Sequence, residues 1–76
     1  MSQHMPALRP KDVISALQRA GFYIHRWSGG HCILKYPADP SLMVTVPYHH
    51  KDLKRGLLIK IIKDSKLSTE QFLSFL

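Results

Sequence analysis

Phe22-Tyr-Ile-His-Arg-Trp27, Ser28-Gly-Gly30 and His31-Cys-Ile-Leu-Lys-Tyr36 follow one another in the first half of the chain. Aromatic and β-branched side chains fill the two outer segments and glycines break them, the pattern of a β-hairpin. With a three-residue loop, Ser28 to Gly30, Trp27 falls opposite His31, His25 opposite Ile33 and Tyr23 opposite Lys35. Side chains alternate across a strand, so these six share one face. Phe22, Ile24, Arg26, Cys32, Leu34 and Tyr36 take the other. A two-residue loop would slip the first strand by one position and mix the sets, so the three-residue loop is expected.

Outward from the hairpin, Pro10-Lys11-Asp12 opens a helix with a ring and a carboxylate suited to a first turn. Val13, Ile14, Leu17 and Ala20 form its apolar stripe, and Gly21 supplies a left-handed stop. On the other side, Pro37 to Ser41 reads as a loop, because two prolines cannot serve a ladder. Leu42 to Val46 reads as a third strand, with Val44 and Val46 extending the apolar face. Tyr48 to Gly56 is a basic connection, and Leu57 to Lys63 is a second helix. Ser68-Thr-Glu-Gln71 is a capping box opening a short last helix that buries Leu67, Phe72, Phe75 and Leu76. The expected fold is α+β: a two-layer α-β-β-β-α domain on a three-stranded antiparallel sheet, with an added C-terminal helix. One domain spans residues 8–76. Residues 1–7 are expected to be a tail, with Met1 to Met5 partly a remnant of expression.

A chain of 76 residues holds one small core, so any chemistry is expected at the surface. Eleven Lys+Arg against five Asp+Glu give a formal charge of +6. That excess points to an anionic partner, nucleic acid or an acidic protein surface. The single cysteine, Cys32, excludes an internal disulfide framework and a cysteine-rich zinc site, and suits a reduced, cytoplasmic setting. No apolar run approaches the ~18 residues of a membrane span, and no signal-peptide pattern opens the chain.

Tyr23, His25, Trp27, His31 and Lys35 on an open sheet face would suit RNA, with aromatics stacking on bases and cations meeting phosphates. Gly29 and Gly30 remove bulk beside His31, and imidazole titrates near neutrality, as proton transfer requires. Lys51, Lys54 and Arg55 precede Gly56 at a helix start, where free N–H groups favour phosphate. His49 and His50 adjoin them, with no carboxylate or cysteine at ligand spacing, so no metal or other cofactor is expected. No Ser/His/Asp constellation, nucleotide-binding glycine loop or carboxylate pair is legible.

From Gly29-Gly30-His31 outward the chain resembles the HicA, or YcfA-like, toxins of bacterial toxin–antitoxin systems. Lys11-Asp-Val-Ile-Ser-Ala-Leu17 with Gly21-Phe22 is similar to their first helix and its entry to the sheet. Val44-Thr-Val-Pro47, His49, Lys51-Asp-Leu-Lys54 and Gly56 resemble the third strand and the approach to the second helix. Leu57 to Ile62, Leu67-Ser68 and Glu70-Gln-Phe72-Leu73 resemble the C-terminal half. The resemblance implies a fold like a double-stranded-RNA-binding domain. It also implies a metal-independent mRNA interferase silenced by a HicB antitoxin. The family's glycine-serine-histidine motif falls on Gly29, Gly30 and His31, making His31 the implied catalytic residue. Gly30 departs from the motif's serine. RNA contacts are then expected from Trp27, Lys35, His49, Lys51, Lys54 and Arg55. Water, Lys35 or His49 are the options for a second proton-transfer group.

Overall fold

The computed structural model describes residues 5–76; the first four positions of the expected tail lie outside them. The element order is α1 (Pro10–Arg19), β1 (Tyr23–Ser28), β2 (His31–Tyr36), β3 (Asp39–Pro47), α2 (Arg55–Asp64) and α3 (Thr69–Ser74). The antiparallel sheet has the order β1-β2-β3. It is the expected α+β arrangement with an added C-terminal helix.

Pro10 occupies the first turn of α1, and the Asp12 carboxylate accepts the Arg9 backbone N–H at 3.1 Å. Val13, Ala16 and Leu17 are fully buried. Burying a side chain such as Leu17 contributes about 1.5–3 kcal/mol, and Leu17→Ala would cost about 2–5 kcal/mol through transfer and cavity terms. Gly21 ends the helix at φ 109°, and the Phe22 N–H donates back to the Leu17 carbonyl at 3.0 Å.

The hairpin departs from the expected register. Gly29 and Gly30, at φ 56° and 80°, form a two-residue turn, so Ser28 pairs with His31, Trp27 with Cys32 and Arg26 with Ile33. Both central residues at positive φ match the twist of the flanking strands, which a Gly-Gly pair adopts without steric cost. A β-bulge at His25 then takes up one residue, and beyond it Ile24 pairs with Leu34 and Tyr23 with Lys35, as expected. The bulge sets His25 and Arg26 together against Ile33, so apolar Ile24 still reaches the core. Arg26 thus joins the open face and Trp27 leaves it.

β3 also begins earlier than expected, at Asp39. Tyr36 pairs with Asp39 and Lys35 with Met43, so residues 40–42 bow out of the ladder. Pro40 lies in that irregular part of an edge strand, where its missing N–H costs no ladder bond. The Asp39 carboxylate holds the bow by accepting the Ser41 N–H at 3.3 Å and hydroxyl at 2.5 Å.

The helices cover one sheet face. Cys32, Leu34, Val44 and Val46 are fully buried there with Leu58, Ile61, Ile62 and Phe72 from α2 and α3. α2 starts at Arg55, two residues before Leu57. The capping box of α3 is formed: the Ser68 hydroxyl accepts the Gln71 backbone N–H at 3.0 Å, and the Gln71 side-chain Oε1 accepts the Ser68 N–H at 2.9 Å. Leu76, expected in the core, is 46% exposed. The Arg19 Nε–H donates to the Phe75 carbonyl at 2.5 Å and draws the chain end along the outside of α1.

Candidate functional site

His31 opens β2 at the turn, and its ring is exposed. Its Nδ1 lies 3.0 Å from the Gly29 carbonyl oxygen. A carbonyl can only accept, so Nδ1 carries the hydrogen and a neutral ring keeps its lone pair on Nε2. The turn that orients the ring is bare. A Cβ built on Gly29 or Gly30 would meet nothing within 4 Å. A polymer backbone can therefore approach the imidazole along the tip of the hairpin.

β3 brings the basic connection to the same end of the sheet. His31 pairs with Pro47, and the Tyr48 N–H donates to the Gly30 carbonyl at 2.9 Å. His49 follows, with its Nδ1 accepting the Lys51 N–H at 3.2 Å. In its neutral form that ring offers an N–H at Nε2, the converse of His31. Buried Leu53 anchors the connection, its N–H donating to the Leu8 carbonyl at 2.8 Å. Around that anchor Lys51, Lys54 and Arg55 are exposed. Lys54 is the N-cap of α2 without a side-chain cap bond, and the first turn holds no acidic residue. No side chain caps the free N–H groups at this positive dipole end, and Lys51, Lys54 and Arg55 outnumber Asp52 in the connection, so the helix start lies in an anion-attracting field.

Trp27 lies on the helix-covered side, opposite buried Cys32. It meets Tyr48 edge-on, with ring centroids 5.3 Å apart and planes at 89°. The two residues stay 54% and 45% exposed. Beneath them, burial pushes the Cys32 thiol above its ordinary titration range. The expected open-face pairing of Trp27 with His31 is thus replaced by a tip with the imidazole on one side and an aromatic pair on the other.

Lys35 does share the His31 face, but further along β2, about 13 Å away at the usual rise per residue. The expected open-face set is therefore split along the strand. The sequence reading missed Arg26, Ser28 and Tyr48. Gly-Gly was itself the signal of a two-residue turn, and that turn places Ser28 beside His31. Nothing in the residue pattern marks the bulge. Among the described residues, no group of three His, Cys, Asp or Glu side chains is placed to hold a metal ion. The surface clefts lined by Leu8, Asp12 and Arg19, and by Pro6, Leu53 and Arg55, do not include His31.

No curated protein matches the chain. A family model described as the HicA toxin of bacterial toxin–antitoxin systems matches residues 10–67. That span runs from the start of α1 through the hairpin, His31 and the basic connection to the end of α2. The match covers most of the chain and every element that builds the tip of the hairpin, and the chain belongs to the HicA toxin family of bacterial toxin–antitoxin systems.

Proposed function

We propose that the chain is a cytoplasmic, metal-independent mRNA interferase, an endoribonuclease that uses His31 as its catalytic group and is held silent by a HicB-type antitoxin. The observation that carries this reading is the hydrogen bond from His31 Nδ1 to the Gly29 carbonyl on a glycine tip beside the basic connection. The bond keeps a lone pair at Nε2, as a general base requires.

In the proposed reaction His31 Nε2 takes the proton of a ribose 2′-hydroxyl. The freed oxygen attacks the adjacent 3′-phosphate and closes a 2′,3′-cyclic phosphate. The 5′-oxygen of the next nucleotide departs and takes a proton from a second donor, for which solvent at this open site suffices. Charge grows on the non-bridging oxygens in the transition state, where fixed donors count most. The Nε2–H of His49 and the cations Lys51, Lys54 and Arg55 supply that field from the connection between β3 and α2 and from the first residue of α2. Lys35 holds a more distant phosphate, and Trp27 stacks on a base. An acidic antitoxin surface laid over the basic tip would exclude RNA and silence the toxin together.

The test is incubation of the purified chain with an unstructured transcript, with and without EDTA. Cleavage in both, leaving 2′,3′-cyclic phosphate and 5′-hydroxyl ends, is the expected result. Salt-dependent RNA binding without cleavage would instead mark a noncatalytic RNA-binding module, the reading favoured by Gly30 in place of the motif's serine.

A further inference from the structure

Ser28 and His31 are the last pair of the hairpin, directly opposite across the two-residue turn. Such partners lie on one sheet face with Cβ atoms about 4.5–5.5 Å apart. Both residues are exposed. The Ser28 hydroxyl enters none of the side-chain hydrogen bonds among the described residues. A free hydroxyl thus stands beside the imidazole, next to two glycines that leave the approach open. The bulge at His25 is what makes this so. It lets a tight turn set Ser28 against His31 while Ile24 keeps its place in the core.

We infer that Ser28 is a phosphate-contacting residue of the His31 site, its hydroxyl donating to a non-bridging oxygen of the scissile phosphate. The inference rests on the proposed RNA cleavage. A hydroxyl can donate one bond in any rotamer and carries no charge, so it stabilises developing negative charge without competing for the proton that His31 takes. It also supplies, from across the turn, a hydroxyl that Gly30 cannot. At φ 80° a side chain at position 30 would be strained, whereas Ser28 sits in extended strand.

The test compares Ser28→Thr with Ser28→Val in the full chain. The two side chains have the same shape and both suit a strand, so only the hydroxyl differs. Ser28→Thr should cleave within a few-fold of the wild-type rate. Ser28→Val should lose about 10- to 100-fold in kcat, the usual effect of removing a hydrogen bond to a charged group. Its affinity for a 2′-deoxy-substituted, uncleavable RNA should stay within a few-fold. Equal kcat for the two variants, or a loss confined to RNA affinity, overturns the assignment while leaving His31 in place. If the wild-type chain cleaves no RNA, the reading it rests on falls, and the assignment with it.

Discussion

The Gly29 carbonyl oxygen and His31 Nδ1 lie 3.0 Å apart across the hairpin turn, so the backbone of the turn fixes the orientation of the ring. In the proposed reaction, a base held this way spends no rotamer freedom at the moment of proton transfer. His31→Ala should therefore lower cleavage by at least about 100-fold, the low end of general acid–base contributions. The site is exposed and the ring supports no core contact, so far-UV circular dichroism and the thermal midpoint should barely move. A variant that keeps its fold and cleaves at the wild-type rate would remove His31 from the catalytic role.

The edge-on pair of Trp27 and Tyr48 makes a different prediction. Base–aromatic stacking is worth about 1–3 kcal/mol per base, or about 5- to 150-fold in affinity. Trp27→Ala should weaken binding of uncleavable RNA within that range. Because the pair lies on the other side of the strand from His31, the loss should appear only with RNA long enough to pass over the tip. A dinucleotide spanning the scissile bond should bind Trp27→Ala and the parent alike. Equal losses with both lengths would place the ring against the reacting nucleotides.

How far the sequence could be read differs along the chain, for physical reasons. The ends of α1 and the start of α3 were legible because they are set by local chemistry: Pro10 and Asp12 at the start of α1, Gly21 at its end, and the reciprocal Ser68–Gln71 bonds of α3; α2, with no side-chain cap, gave no such mark for its start. The bulge at His25 was not. It exists because a Gly-Gly turn and the burial of Ile24 demand registers one residue apart, a conflict settled only when the strands pair. The same conflict moved Arg26 and Trp27 between faces. Pro40 misled in another way, since a proline excludes a ladder bond but not a bowed edge strand.

Gly21 and Gly29 both hold positive φ, yet their substitution should not cost the same. At Gly29 a Cβ meets no atom within 4 Å, so Gly29→Ala should lose only the strain of a left-handed residue, about 1–2 kcal/mol. At Gly21 a Cβ would also sit 3.1 Å from Cε1 of Tyr36, whose ring packs edge-on against Phe22 at 5.2 Å. Relief means moving a ring that belongs to the rim of the core. Gly21→Ala should be the more destabilising by chemical denaturation. The reverse order would mean that the hairpin turn, not the α1–β1 junction, is the less tolerant point.

Lys54 and Arg55 stand where a helix start and a basic connection meet, and the RNA contacts proposed for them are best read as a slope. Each phosphate neutralised on single-stranded RNA releases counterions, with a slope of about 0.7 per contact in log affinity against log salt. Lys54→Ala with Arg55→Ala should therefore flatten the salt dependence by about 1.4 if each meets one phosphate. A response to net charge alone would give the same flattening, so the control must remove two charges elsewhere. Lys11→Ala with Lys60→Ala does so: Lys11 lies on the exposed side of α1, and Lys60 is paired with Asp64 at 2.8 Å. Exposed i,i+4 pairs contribute only about 0.3–0.5 kcal/mol, so this control should fold normally. It should also keep the parental slope, because neither lysine belongs to the connection that β3 carries to the hairpin tip. Equal flattening in both pairs would mean that RNA responds to the overall +6 charge and not to a track leading to His31.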